Sequence, residues 1–179
     1  MMKVETVNKV IAAIDKINDI AGNIAKFLLV YMAVTLSYEV IARKLFNAPT
    51  IWVFDLSKQA LGFMGALGGG YTLMFNSHVK VDVIYTLLSV KAKAVIDIIT
   101  AALFYVFMII FIWKSTEMAI TSWENNEHAV TVLAPPLYYL KAAIPVGGVL
   151  VLLQGTAKFL RDILTLVTKE EQEYPSIDY

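Results

Sequence analysis

Cysteine is absent from this 179-residue chain. That removes disulfides, thiolate nucleophiles, iron–sulfur clusters and cysteine-ligated zinc. Histidine is scarce, with only His78 and His128. Charged residues make up 17% and cancel to a formal net charge of zero, without the basic excess that nucleic-acid binding requires, so no nucleic-acid partner is expected. No arginine precedes Arg43. The first 19 residues carry Glu5, Asp15 and Asp19 and lack an apolar run ending at a small-residue cleavage site. Neither an arginine-rich transit peptide nor a cleaved signal is expected. The signatures G-x-x-x-x-G-K-[ST], H-E-x-x-H and G-x-S-x-G are missing as well. The chain is read as no enzyme, with no catalytic residue, cofactor or metal ligand.

Apolar residues, by contrast, reach 58%, well above an ordinary soluble domain. Their distribution predicts an all-α integral membrane protein with four transmembrane helices, at about 24–46, 56–75, 95–113 and 137–160, plus short amphipathic interfacial segments. Residues 1–19 form an amphipathic segment in which Val4, Val7, Ile11, Ile14 and Ile17 recur at helical spacing. It reads equally as a helix lying on the membrane surface or as an extension of the first span. Residues 20–167 form the membrane domain, with an amphipathic connector over 76–93. Residues 168–179 are a polar tail. The middle of each span is apolar or small, and charge gathers at the ends.

The stretch from Phe46 to Asp82 organises the rest. A proline turn with Trp52 leads into the apolar run Leu56–Phe75, whose only charge is Lys58. At 1.5 Å per residue that run covers the roughly 30 Å hydrocarbon core of a bilayer. Asp55, Gln59, Gly62, Ala66, Gly69 and Asn76 fall on one small and polar stripe, with Leu61, Met64, Tyr71 and Phe75 on the other side. Helices gain little hydrophobic energy by meeting in lipid, so the stripe predicts packing against another protein helix, a sister span or a partner.

Charges near the span ends suggest pairs. Glu39 and Arg43 sit at i,i+4, and a structural pair near the interface is favoured over an ion or proton site. Asp55 and Lys141 fall at matching depths after Ala-Pro turns and could form a second pair. His78 and Asp82 read as polar interface contacts rather than metal ligands. The topology puts His78 and His128 on opposite sides of the membrane, which excludes a shared haem. Arg43, Lys44, Lys58, Lys114 and Lys141 fall on one side and the other ten of the 15 basic residues on the opposite one. The positive-inside rule then makes both termini cytoplasmic.

Arg43, Phe46-Asn47, Pro49, Trp52 and the acid Asp55, followed by His78 and Asp82, and later by Pro136, Tyr139, Ile144-Pro145 and Gly147, form an ordered set. Across residues 38–160 the chain resembles the DctQ-type small membrane subunit of tripartite ATP-independent periplasmic (TRAP) transporters. Two positions depart from that pattern: Asp55 stands where Glu is more usual, and Lys141 is an unexpected charge. The resemblance implies a static scaffold in the bacterial inner membrane, surrounded by membrane lipids. Its partners would be a large DctM-type membrane subunit carrying substrate and sodium sites, and a periplasmic binding protein delivering organic anions. Arg43, Phe46, Trp52, Asp55, Gln59, Gly62, Ala66, Gly69, His78, Asp82, Lys141 and Pro145 are the candidate residues for partner contact or helix packing. The alternative is a stand-alone four-span carrier acting as a homo-oligomer.

Overall fold

A computed structural model describes residues 2–75 and 90–168, so the expectations for His78, Asp82, most of the 76–93 connector and the 169–179 tail lie outside the described residues. Among the described residues the chain forms four helices: α1 (Met2–Leu45), α2 (Val53–Met74), α3 (Val90–Glu124) and α4 (Tyr138–Thr168). Three of them contain stretches long and apolar enough to cross a membrane: Val4–Leu45, Ile99–Glu124 and Tyr138–Leu164. The helix over Val53–Met74 is long enough at 22 residues, but Lys58, Gln59 and Gly68–Gly70 dilute its apolar character.

Helix α1 is one rod of 44 residues, about 66 Å long, with no break between the amphipathic segment and the first span. Its N-terminal apolar stripe is covered by protein. Ile11 and Ile14 are buried with Ala157 and Leu164 of α4, and Val4, Val7, Leu153 and Leu160 pack around them. The segment is therefore the extension of α1, laid along the C-terminal half of α4. Helices α1, α2 and α4 pack mutually, while α3 leans on α4. A shallow apolar cleft of about 380 Å³ lies between α2, α3 and α4, lined by Gly65, Gly69, Phe107, Phe111, Ile144 and Gly148 among others. Pro145 lies inside α4 without ending it. As the eighth residue of α4 it leaves the Lys141 carbonyl without its i→i−4 donor, a loss membrane helices tolerate when neighbouring groups meet the freed carbonyl.

The ends of the helices are closed by backbone chemistry. Asn126 takes a left-handed conformation (φ 46°) just after α3. Glu127 N–H returns to the Ser122 carbonyl and Asn126 N–H to that of Trp123, the paired bonds of a Schellman motif. Asn47 (φ 50°) serves the end of α1, where Ala48 N–H reaches the Ala42 carbonyl.

A polar chain inside the α1–α4 seam fixes their register. Asn18 Nδ2 donates to Gln154 Oε1 at 2.8 Å, and Gln154 Nε2 donates to Asp15 Oδ1 at 2.9 Å. Arg161 closes the chain by pairing with the other Asp15 oxygen. Asn18, Gln154 and Arg161 are all buried. Gly70 of α2 makes room for the Asn18 amide, which occupies the space a Cβ would take. Replacing Gln154 with Leu leaves Asp15 Oδ1 and Asn18 Nδ2 short of a partner, and an unsatisfied buried group costs about 1–3 kcal/mol. Gln154→Leu and Gly70→Val are each expected to lower the melting temperature of the detergent-solubilised chain, and unchanged melting would refute the seam.

Candidate partner-facing and helix-packing site

The turn between α1 and α2 is built around Glu39. Arg43 Nε and Nη2 both donate to Glu39 Oε1, at 2.9 and 2.6 Å. The other oxygen accepts from Thr50 N at 3.0 Å and from the Thr50 hydroxyl. One carboxylate thus ties the last turns of α1 to the segment that leads into α2. The ring of Trp52 stacks on Tyr38 with centroids 6.2 Å apart. Such aromatic pairs suit the membrane–water interface. Outward from this frame point Leu45, Phe46, Ile51 and Phe54, all exposed, with Phe46 at 74%. Arg43 and Trp52 therefore brace the turn, and Phe46 is its outward residue. Asp55, at 5% exposure, is buried at the start of α2 beside the equally buried Ser57.

The pairing of Asp55 with Lys141 is not formed. Lys141 instead binds Glu127, which the Asn126 turn swings back over the start of α4. The depth argument placed Asp55 and Lys141 correctly at one end of the bundle, but it omitted the loop between α3 and α4. Leu137 N–H bonds the Glu127 carbonyl and Ala129 N–H that of Pro135, so this loop is a closed hairpin that delivers Glu127 to Lys141. His128 sits in it, with Nδ1 2.6 Å from the Asn126 carbonyl. Among the described residues no three His, Asp or Glu side chains converge to hold a metal ion.

The small stripe of α2 faces α4 and the loop before it. Gln59 Nε2 donates to the Pro136 carbonyl at 3.1 Å. A Cβ on Gly62 would collide with Leu140, and one on Gly69 would stand 2.9 Å from Val151 Cγ2. The closest approach is at Ala66, whose backbone carbonyl occupies the space a Cβ on Gly147 would need. On the opposite side, Tyr71 is no lipid-facing residue, because its ring fills the notch at Gly22 of α1. Pro145 is half-buried in α4, less than one turn from Gly147.

The sequence matches the family described as tripartite ATP-independent periplasmic transporters, DctQ component, over residues 32–165. The chain belongs to the DctQ family. It is thus a component of a TRAP transporter, and that family is not an enzyme family. No curated protein matches the chain. The matched region of this DctQ chain holds the Glu39 turn, the small stripe and the Glu127 hairpin. The Asp15–Asn18 anchor precedes it. Sequence reasoning missed that anchor because Asp15 and Asn18 looked like the solvated face of an amphipathic helix. The available signal was Gln154, the one amide inside the apolar run of α4.

Two outcomes follow for this DctQ chain. Gly62→Leu and Gly69→Leu should each destabilise it by about 1–3 kcal/mol through overpacking, while Met64→Leu is nearly silent, as read by thermal unfolding in detergent. At the hairpin, the hydrogen bond from Lys141 holds the Glu127 carboxyl below its ordinary value. A depressed carboxylate stabilises the fold above its unfolded-state pKa and loses that contribution as pH falls through the folded one. Glu127→Gln should therefore abolish an acid-induced loosening of the hairpin that the parent chain shows below the usual carboxylate range. Limited proteolysis of residues 127–137 across pH would detect it, and identical profiles would refute the pair.

Proposed function

We propose that this DctQ chain is the small, static scaffold subunit of its transporter and pairs with a large membrane subunit. The pair carries out ion-coupled, sodium-dependent uptake of organic anions delivered by a periplasmic binding protein. The reading is supported by one observation above the rest: the small stripe of α2 is packed against α4 of the same chain, and the cleft that the described residues leave beside it is lined by Gly, Ala and apolar side chains. The charge-bearing groups of its described ties, at Glu39, Glu127 and Asp15, brace helix ends or seams. In this reading all four helices cross the bacterial inner membrane, and both termini are cytoplasmic, in line with the uneven distribution of Lys and Arg. The substrate and ion sites belong to the large subunit.

The experiment is co-expression of the chain with the large membrane subunit of its transporter, followed by affinity purification through a tag on the chain. Stoichiometric recovery of the large subunit is expected, and its absence would overturn the pairing. Orientation is checked in the same cells. The natural chain has no cysteine, so Thr6→Cys and Asn126→Cys are clean reporters. An impermeant thiol reagent added outside should label Asn126→Cys and spare Thr6→Cys; the reverse pattern inverts the topology.

A further inference from the structure

Lys26 lies in an unexpected place. From sequence it belongs to the cytoplasmic end of the first span, two residues inside the 24–46 stretch. The register set by the α1–α4 seam changes that. One end of the bundle is marked by the Tyr38–Trp52 and Trp123–Tyr138 aromatic pairs, the other by the Asp15–Arg161 ion pair. Both α1 (Asp15 to Tyr38) and α4 (Tyr138 to Arg161) span about 35 Å between these markers, close to one bilayer core with its interfaces. Along α1, Lys26 stands about 17 Å from Asp15 and about 18 Å from Tyr38, near the middle.

It does not stand alone. Lys26 Nζ donates to Asn23 Oδ1 at 3.4 Å, and Asn23 Nδ2 donates to Asp19 Oδ2 at 3.2 Å. The Lys26 ammonium also lies 4.6 Å from the centroid of the Tyr71 ring. Helical side chains lean toward the N-terminus, so the ladder runs from mid-depth toward the Asp15 end. Asp19, Asn23 and Lys26 are all exposed. Further along the same face come Val30, Ala33 and Ser37, also exposed, of which Val30 alone is bulky and apolar. The neighbouring exposed face of α1 is different: Ile20, Ile24, Phe27 and Val34 are bulky and wholly apolar. One exposed face suits lipid. The other is a polar ladder at mid-bilayer depth, where ionisable groups are costly and face protein or water rather than acyl chains.

We propose that the Asp19–Asn23–Lys26 face of α1 seats a helix of the large membrane subunit, which presents hydrogen-bond acceptors opposite Lys26. This rests on the pairing given under Proposed function and adds where the partner docks. Lys26 has donor capacity left over, with one long hydrogen bond and one ring contact for three N–H groups. Because Asp19 and Lys26 offset each other in charge, the partner face is polar and without net charge. A hydroxyl, an amide or an unpaired backbone carbonyl meets that need, and such interhelical bonds hold membrane helices together. A lipid tail offers no acceptor.

The test exploits opposite outcomes for lipid and protein. If lipid covers the face, Lys26→Leu improves the chain and leaves assembly untouched. If the large subunit covers it, Lys26→Leu melts no lower than the parent chain in detergent but retains roughly tenfold less large subunit after affinity purification. A photo-crosslinking benzophenone amino acid in place of Asn23 keeps Lys26 intact and decides the matter even where the leucine variant folds poorly. It should crosslink to the large subunit, while the same group at Phe27 should not. Undiminished recovery with Lys26→Leu, or crosslinks from position 23 only to lipid, to a second copy or within the chain, would overturn the docking face and leave the pairing intact. Failure of the parent chain to retain the large subunit would overturn both.

Discussion

Close backbone approach between α2 and α4 is the constraint on which the rest depends. In lipid, apolar side chains gain little by leaving the solvent for each other, so van der Waals contact and hydrogen bonds must hold the bundle. Here the carbonyl of Ala66 lies where any side chain on Gly147 would have to go. That contact requires the absence of a side chain at Gly147, and the neighbouring fit against Leu140 and Val151 requires the same at Gly62 and Gly69. Once α2 and α4 touch at this distance, the depth of every residue on both is fixed. Gln154 then meets Asn18, and α1 is drawn into the same packing unit through Gly70.

Polar groups then lock what packing has set. At one end Glu39 is shared between Arg43 and Thr50, and Glu127 holds Lys141. At the other, Asp15 is shared between Gln154 and Arg161. Each tie joins segments distant in sequence or closes a turn, and each carboxylate has its lone pairs met by more than a single bond or by a buried partner. A buried ion pair is weak as a source of stability but costly to break from one side. Its effect here is to fix register.

Much of this was legible in the sequence. Membrane class followed from composition, and the small stripe of α2 followed from helical spacing, because both depend on local pattern alone. The Glu39–Arg43 pair was legible for the same reason. What escaped was long-range. Lys141 has two acids within plausible reach, and only the backbone of the 125–137 hairpin selects Glu127 over Asp55. The N-terminal segment looked separable because its charges dilute its apolar stripe, yet Ile11 and Ile14 are covered by Ala157 and Leu164. That covering also moved Lys26 from the margin of α1 to its middle. Helical periodicity gives the face a residue occupies; the depth comes only from the helix it packs against.

In the proposed reading, transport runs through a partner subunit rather than through the close-packed bundle of the described residues. The direct measurement is uptake of a radiolabelled organic anion into sodium-gradient proteoliposomes. These hold the chain alone, the large subunit alone, or both, each with the binding protein added outside. The account predicts sodium-dependent uptake only where both membrane subunits are present. Uptake by the chain alone would contradict it.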